Sequence, residues 1–361
     1  VIPQKHTLTA TVDGGETLEV ISGRLTLDDT WSPYAQATLT IVTPADLAAI
    51  DPRQVHRVKL TMTRDLPTAQ TRTLHLHIRA RTIRLDGTTE LQLASDDAWL
   101  HDLKWPMLDD DINIPASPEY GLYATVAGLV NHLATVTMPQ LGASQTITVE
   151  VFPEAIVQIT NPDGGNLLPI STGQSLYEVA LPYLQANNLR LYADGSAPAR
   201  LKVHGTTRLP TAAWLTVQTG VDLTDARDEI NRDSDLWADS LTVHYTRGNA
   251  PVSMATWPPV GQGPVTKHLY LQINAHSPWT QFMDPELDIG PAMEAMFNRL
   301  QKRGRLVPVD AISDYSANAG QNINVTTPLA PPLTGVTQSI EWRFPDHEMT
   351  VTIRDLTEAT P

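Results

Sequence analysis

Apolar and polar residues alternate through much of this chain, and the alternation predicts strands. Leu18, Val20 and Ile21 lead into Leu25 and Leu27. Ala37, Leu39 and Ile41 alternate, as do Val58, Leu60 and Met62, then Leu74, Leu76 and Ile78. Ile83 and Leu85 precede an Asp86-Gly87 turn, and Leu91 and Leu93 follow it. A period of two puts every second side chain on one face, so each run reads as a half-buried strand. Short strands separated by turns predict a first β-barrel domain over residues 1–105, with Trp31-Ser-Pro33-Tyr34 plugging one end.

The pattern changes over residues 106–208, which predict a smaller α/β domain. Val126, Leu129, Val130 and Leu133 share one face of a helix, and Ile147, Val149 and Val151 read as a strand. A second helix opens on Ser175 and Glu178, three apart, the spacing of a capping box in which hydroxyl and carboxylate each take a free backbone N–H. Leu176, Val179, Ala180, Tyr183 and Leu184 form its buried face, with Pro182 inside it and Asn187-Asn188 as a left-handed stop. Leu189, Leu191 and Ala193, then Leu201 and Val203, alternate on either side of Asp194-Gly195, predicting a hairpin.

Strands resume over 209–361, predicting a second barrel that is discontinuous in sequence. Leu215 to Val217 and Leu241 to Tyr245 belong to it, and an excursion at about 250–304 interrupts it. That excursion ends in a helix with Pro291 near its start, Met293, Met296, Phe297 and Leu300 on one face, and Gly304 as its stop. Ile340, Trp342 and Phe344, then Met349, Val351 and Ile353, form a terminal hairpin around Pro345-Asp346. The fold class is mainly β with α+β: two β-barrels flanking a smaller α/β domain.

Composition narrows the chemistry. Cysteine is absent, which removes disulfides, thiol nucleophiles and thiolate metal sites. Forty acidic residues against 25 basic give a net charge of -15, which disfavours binding phosphate backbones by charge neutralisation. No run of residues is long and apolar enough to span a membrane, and no signal peptide opens the sequence. His75 and His77 share a strand face with Arg79 and Arg81, opposite Leu74, Leu76 and Ile78; the arginines repel a cation, so this face reads as solvated. Asp109-Asp110-Asp111 begins like a calcium loop but has Ile114 and Tyr120 where the glycine and glutamate belong, leaving a polar linker as the first reading and an irregular calcium site as the second. His347-Glu348 lacks the second histidine of a zinc-protease helix, and no nucleophile elbow or phosphate loop occurs. Asp222, Asp225, Asp228, Glu229, Asp233, Asp235 and Asp239 form a dense acidic run, read as a solvated face, a channel wall or a divalent-ion site. The residues give no catalytic, cofactor or metal assignment, and the expectation is a protein that is not an enzyme.

Three segments carry a family resemblance: GQSLYEVALPYLQANNLRLYADGSAPARLKV, ARDEINRDSDLWADSLTVHYTRGN, and GPAMEAMFNRLQKRGRLVPV together with PLAPPLTGVTQSIEWRFPDHEMTVTIRD; a fourth, LTLDDTWSPYAQATLTI, is similar to minor tail proteins of actinobacterial phages. In the order barrel, α/β unit, interrupted barrel, they resemble the tail-hub proteins of bacteriophages, which are related to the base of contractile-injection spikes. The resemblance implies a structural protein of the virion tail tip, made in the host cytoplasm. It implies a homotrimer whose six barrels form a pseudo-sixfold ring, joining a hexameric distal tail ring to the tip. The ring would surround the channel for DNA and the tape measure protein and contact fibre or other tip proteins, without sequence-specific DNA binding. The acids from Asp222 to Asp239 are then candidate channel-facing residues, and Trp31, Trp257 and Trp279 candidate interface anchors. Two other readings stay open: a receptor- or carbohydrate-binding tail protein using those tryptophans as stacking platforms, and a cell-wall polysaccharide or peptidoglycan hydrolase.

Overall fold

The computed structural model describes residues 5–13, 15–65, 68–106, 110–113, 125–143, 147–156, 167–186, 189–205, 214–227, 229–230, 237–247, 250–259, 265–273, 297, 305–327 and 331–358. The chain opens with seven strands: β1 (His6–Val12), β2 (Thr17–Leu18), β3 (Val20–Asp28), β4 (Ala35–Val42), β5 (Arg57–Arg64), β6 (Gln70–Ile83) and β7 (Thr88–Ala94). A short helix α1 (Ala98–Asp102) leads to β8 (Asp110–Asn113), α2 (Val126–His132), α3 (Met138–Gln140), β9 (Thr148–Val151) and β10 (Leu167–Ile170). Helix α4 (Leu176–Ala186) and the strands β11 (Leu189–Ala193) and β12 (Arg200–Gly205) complete the middle of the chain. The last part holds β13 (Leu215–Gln218), β14 (Leu223–Ala226), β15 (Glu229–Ile230), β16 (Ser240–Arg247), β17 (Ala250–Trp257) and β18 (His268–Ile273). It ends in β19 (Arg305–Ile312), β20 (Asn322–Thr326), β21 (Leu333–Phe344) and β22 (Glu348–Glu358).

The mainly-β class holds, but the strands do not close into two barrels. Both ends of the chain join in one 14-stranded sheet, ordered β14-β19-β22-β21-β3-β4-β7-β6-β5-β1-β2, with β13, β15 and β20 off that path. The joint is antiparallel pairing of β21 with β3, from Ser339 opposite Asp28 to Phe344 opposite Gly23. Two separate barrels were expected because alternation shows which residues face inward, not which strand lies alongside. A single core follows from the joint: Leu25, Leu27, Leu39, Ile41, Leu60 and Leu76 pack in one cluster with Val309, Ile323, Ile340, Trp342, Val351 and Ile353. Next to the joint, β3 also approaches β4 tightly at Gly23, where an added Cβ would lie 2.6 Å from Leu39 Cδ2 and 2.8 Å from the Thr38 carbonyl.

The strand order repeats. Numbered by chain order, β3, β4, β6 and β7 lie side by side as first, second, fourth, third. So do β14, β19, β21 and β22. Along the sheet one set follows the other head to tail, and the β21–β3 joint is where the third strand of one set meets the first strand of the other.

The middle segment packs a second core from α2, α4, β11 and β12. Its capping box forms as spaced: the Ser175 N–H donates to Glu178 Oε2 at 2.7 Å, and the Glu178 N–H to Ser175 Oγ at 3.2 Å. Leu176, Val179, Ala180, Tyr183 and Leu184 are buried as predicted, and β11 pairs with β12 across the turn at Gly195, whose φ is +74°. The terminal hairpin is also as predicted, β21 with β22, its inward residues buried. Asn187-Asn188 and the residues around Phe297 fall outside the described residues; Phe297 itself is helical and buried.

Candidate functional site

The large sheet has one face on the core and one face free of it, and register places polar residues in rows across the free face. One row runs Gln92, Thr38, Arg24, Arg343, Glu348 through β7, β4, β3, β21 and β22. The next runs Gln36, Thr26, Glu341, Thr350 and Asp310 to Asp225 at the sheet edge. A third holds Asp28, Ser339 and Thr352. The rows cross the β21–β3 joint without interruption, so the two strand sets present one continuous polar surface. Hydroxyl side chains and carboxylates share it in equal number, and its carboxylates outnumber its two arginines.

A groove of about 300 Å³ lies on this face across the joint, bounded by Arg24, Asp28, Trp31, Gln36, Glu341 and Arg343 among others. Arg343 Nε donates to Glu341 Oε1 at 2.9 Å, and its guanidinium also donates to Thr350 Oγ1 at 3.1 Å. Thr350 Oγ1 donates in turn to Asp310 Oδ1 at 2.6 Å. Asp28 accepts from the Thr30 N–H and hydroxyl, and burial raises its carboxyl above the usual range. Arg24 and Arg343 stand directly opposite each other across the joint, an arrangement of like charges that costs stability.

Charged residues tie this surface to the rest of the chain. Asp29, at the end of β3, accepts from Arg354 of β22 at 2.5 Å, and its carbonyl accepts from Arg190 of β11 at 3.1 Å. The Arg190 guanidinium stacks 4.6 Å from the Tyr192 ring centre, and Tyr192 packs 4.6 Å from Tyr34. Arg72 of β6 donates to the carbonyl of Tyr315 at 3.2 Å and to Asn318 Oδ1 at 2.7 Å while lying over the Trp342 ring. The loop after β3 is held by Asp97, which accepts from the Tyr34 N–H at 2.9 Å and Ser95 Oγ at 2.5 Å. Asp97 is fully buried, among the described residues no cation is bonded to it, and burial pushes its carboxyl up to about 6.

Several expectations are corrected here. His77 is not on a solvated face: it is 2% exposed, with Nε2 2.6 Å from Asp96 Oδ1 and 2.9 Å from Trp99 Nε1, while Arg57 pairs with the same Asp96. Helix α1 and the turn before it fold over that face, which alternation along β6 cannot reveal. His75 is half buried, its N–H donating to the Gly195 carbonyl at 2.7 Å where the α/β segment docks. Trp31 plugs nothing: it is 52% exposed at the rim of the groove, and the buried aromatic of that loop is Tyr34.

The acidic run separates into local roles. Asp222 Oδ1 accepts from the Gln218 N–H at 2.6 Å in the turn before β14. Asp225 is exposed on β14, 3.5 Å from Arg227. Asp239 accepts from the N–H groups of Thr266 and Lys267 and fixes the approach to β18. Glu229 lies in β15, paired in register with Leu306. Asp228, Asp233 and Asp235 lie outside the described residues, as does Trp279; Trp257 is half buried in β17. Among the described residues no cluster of three or more histidine or acidic side chains is arranged to hold a metal ion, and no helix is long and apolar enough to cross a membrane.

No family model and no curated protein matches this sequence. Solved structures do match its fold along nearly the whole chain. A tail protein from Neisseria meningitidis superposes with a TM-score of 0.64 at 10% identity, covering 97% of this chain and 96% of that one. The 43 kDa tail protein of prophage MuSo2 from Shewanella oneidensis gives 0.62 at 12% identity, covering 97% and 98%. Prophage tail protein gp18 from Listeria monocytogenes gives 0.57 at 9% identity, covering 98% and 95%. The chain therefore has the fold of phage tail proteins.

Proposed function

We propose that this chain is a structural, non-enzymatic component of a phage or phage-like tail tip: a hub whose three copies form a ring around the channel for DNA and the tape measure protein. The observation that carries this reading is the polar face that continues across both strand sets. A surface of threonine, serine and glutamine with an excess of carboxylate gives a passing polyanion hydrogen-bonding water and no counterion release, so DNA gains nothing by stopping there. Asp225 extends a row of that face, which supports reading it as the channel-facing member of the acidic run. Two strand sets per chain give six in a trimer, matching a sixfold ring on one side and a threefold tip on the other. In the virion its neighbours are then the distal tail ring, the tape measure protein and fibre or tip proteins.

Counting copies in purified tails by quantitative mass spectrometry tests the reading. Three copies per tail are expected; six copies, or absence from the tail, overturn it. One observation favours a second reading, a glycan-binding tail protein: the exposed indole of Trp31 overhangs a polar groove, as stacking on a sugar ring requires. Glycan-array binding that is lost in Trp31→Ala would select it.

A further inference from the structure

The three rows of the polar face meet in the groove across the β21–β3 joint, and the two ends of that groove differ in character. At one end Arg24 stands directly opposite Arg343. Directly opposed residues hold their Cβ atoms about 4.5–5.5 Å apart, so both guanidiniums can reach one small group between them. They are not equally satisfied. Arg343 is neutralised by acids of β21 and β22, with Nε 2.9 Å from Glu341 Oε1 and Nη1 3.8 Å from Glu348 Oε2. Arg24 is exposed, and among the described residues nothing accepts from its guanidinium. This end therefore carries one uncompensated positive charge. At the other end Asp28 lies buried opposite Ser339, and the half-exposed indole of Trp31, in the loop that leaves β3, overhangs the opening. From Arg24 to Asp28 the strand rises about 13 Å, the length of a short oligosaccharide and more than that of a single sugar ring. Thr26 and Gln36 line the stretch between, a hydroxyl and an amide that can donate to and accept from sugar hydroxyls.

We infer that this groove binds an anionic oligosaccharide, one sugar ring stacked on Trp31 and a carboxylate or phosphate substituent, a ring or two away, held between Arg24 and Arg343. The inference rests on the glycan-binding reading above, not on the ring, and adds to it the charge of the ligand and the end at which that charge is read. An oxyanion between the two guanidiniums turns an opposition of like charges, which costs stability, into charge-assisted hydrogen bonds. Nucleic acid suits the groove less well. Its phosphates recur along the whole strand, and those beyond Arg24 would meet Glu341 and Asp28. A single free cation at one end selects a ligand charged at one end.

The test applies the full chain to a glycan array of matched neutral and acidic oligosaccharides, the acids being uronate-, sialate- and phosphate-substituted. Acidic members are expected to bind at least about tenfold tighter than their neutral counterparts, the worth of a hydrogen bond to a charged group. Arg24→Gln should erase that preference while circular dichroism shows the fold intact, and Trp31→Ala should abolish binding of both kinds. Raising the salt should weaken the acidic members alone. Neutral and acidic members bound alike, with binding lost in Trp31→Ala and unchanged in Arg24→Gln, overturn this inference and leave the glycan reading standing. Binding to no member overturns both. Mixed-sequence single-stranded DNA bound as tightly, and with the same dependence on Arg24, overturns it in favour of a nucleic-acid contact.

Discussion

The β21–β3 joint and the outer edges of β14 and of residues 79–83 of β6, which pair with no strand among the described residues, hold the same position in two repeats of one strand order, yet their side chains differ. Inside the joint Trp342 faces Leu25 and Ile340 faces Leu27, all fully buried. The open edges are short and exposed and carry arginines on one side and carboxylates on the other. A joint made once, during folding of a single chain, is served by shape and apolar area. An edge left in solvent needs charge, which discourages indiscriminate strand pairing.

The largest expected effect on this contrast comes from Trp342→Ala. Removing a fully buried indole from the joint should destabilise the protein by about 3–5 kcal/mol. Trp31→Ala, on the exposed rim, should stay within about 0.5 kcal/mol. Urea unfolding of both variants measures the difference, and similar losses would show that the joint is no more critical than its surface. Gly23→Ala comes next. Overpacking against Leu39 and the Thr38 carbonyl of β4, one strand in from the joint, should cost about 1–3 kcal/mol, and an unchanged midpoint would mean that β3 and β4 part easily.

The smallest effect is pH-dependent and lies in the loop leaving β3. Because burial raises the Asp97 carboxyl from 3.8 to about 6, the folded state holds a proton that the unfolded chain has released between those values. This group therefore favours folding more as pH falls through that window and less as pH rises above it. Relative to Asp97→Asn, the wild type should gain about 1 kcal/mol between pH 7 and pH 5. Parallel pH profiles of the two proteins in thermal unfolding would refute this.

Local features were legible in the sequence because their causes are local. The capping box at Ser175, the buried stripe of α4, the hairpin at Asp194-Gly195 and the terminal hairpin need only neighbours a few residues away. Alternation also marked the inward residues of β3 and β21 correctly. It could not join them, because Leu25 and Trp342 are far apart in sequence and many strands share their pattern. The rows of the polar face exist only once register is known, which is why the acids singled out in advance were those dense in sequence, whereas Asp28, Asp310 and Glu341 were not noticed. His77 and Trp31 were misplaced for a related reason: a strand's period tells which way a side chain points, not what lies there.

Asp29 gives the assembly a mechanical property. Its backbone carbonyl holds the α/β segment through Arg190, and its carboxylate holds the last strand through Arg354, while it directly follows β3 of the first set. Three bodies thus share one pivot with little free length in any tie. A push on the α/β segment is delivered to both strand sets together instead of prying one from the other. Stress spreads around such a part before any single interface yields, as in an arch loaded at its keystone.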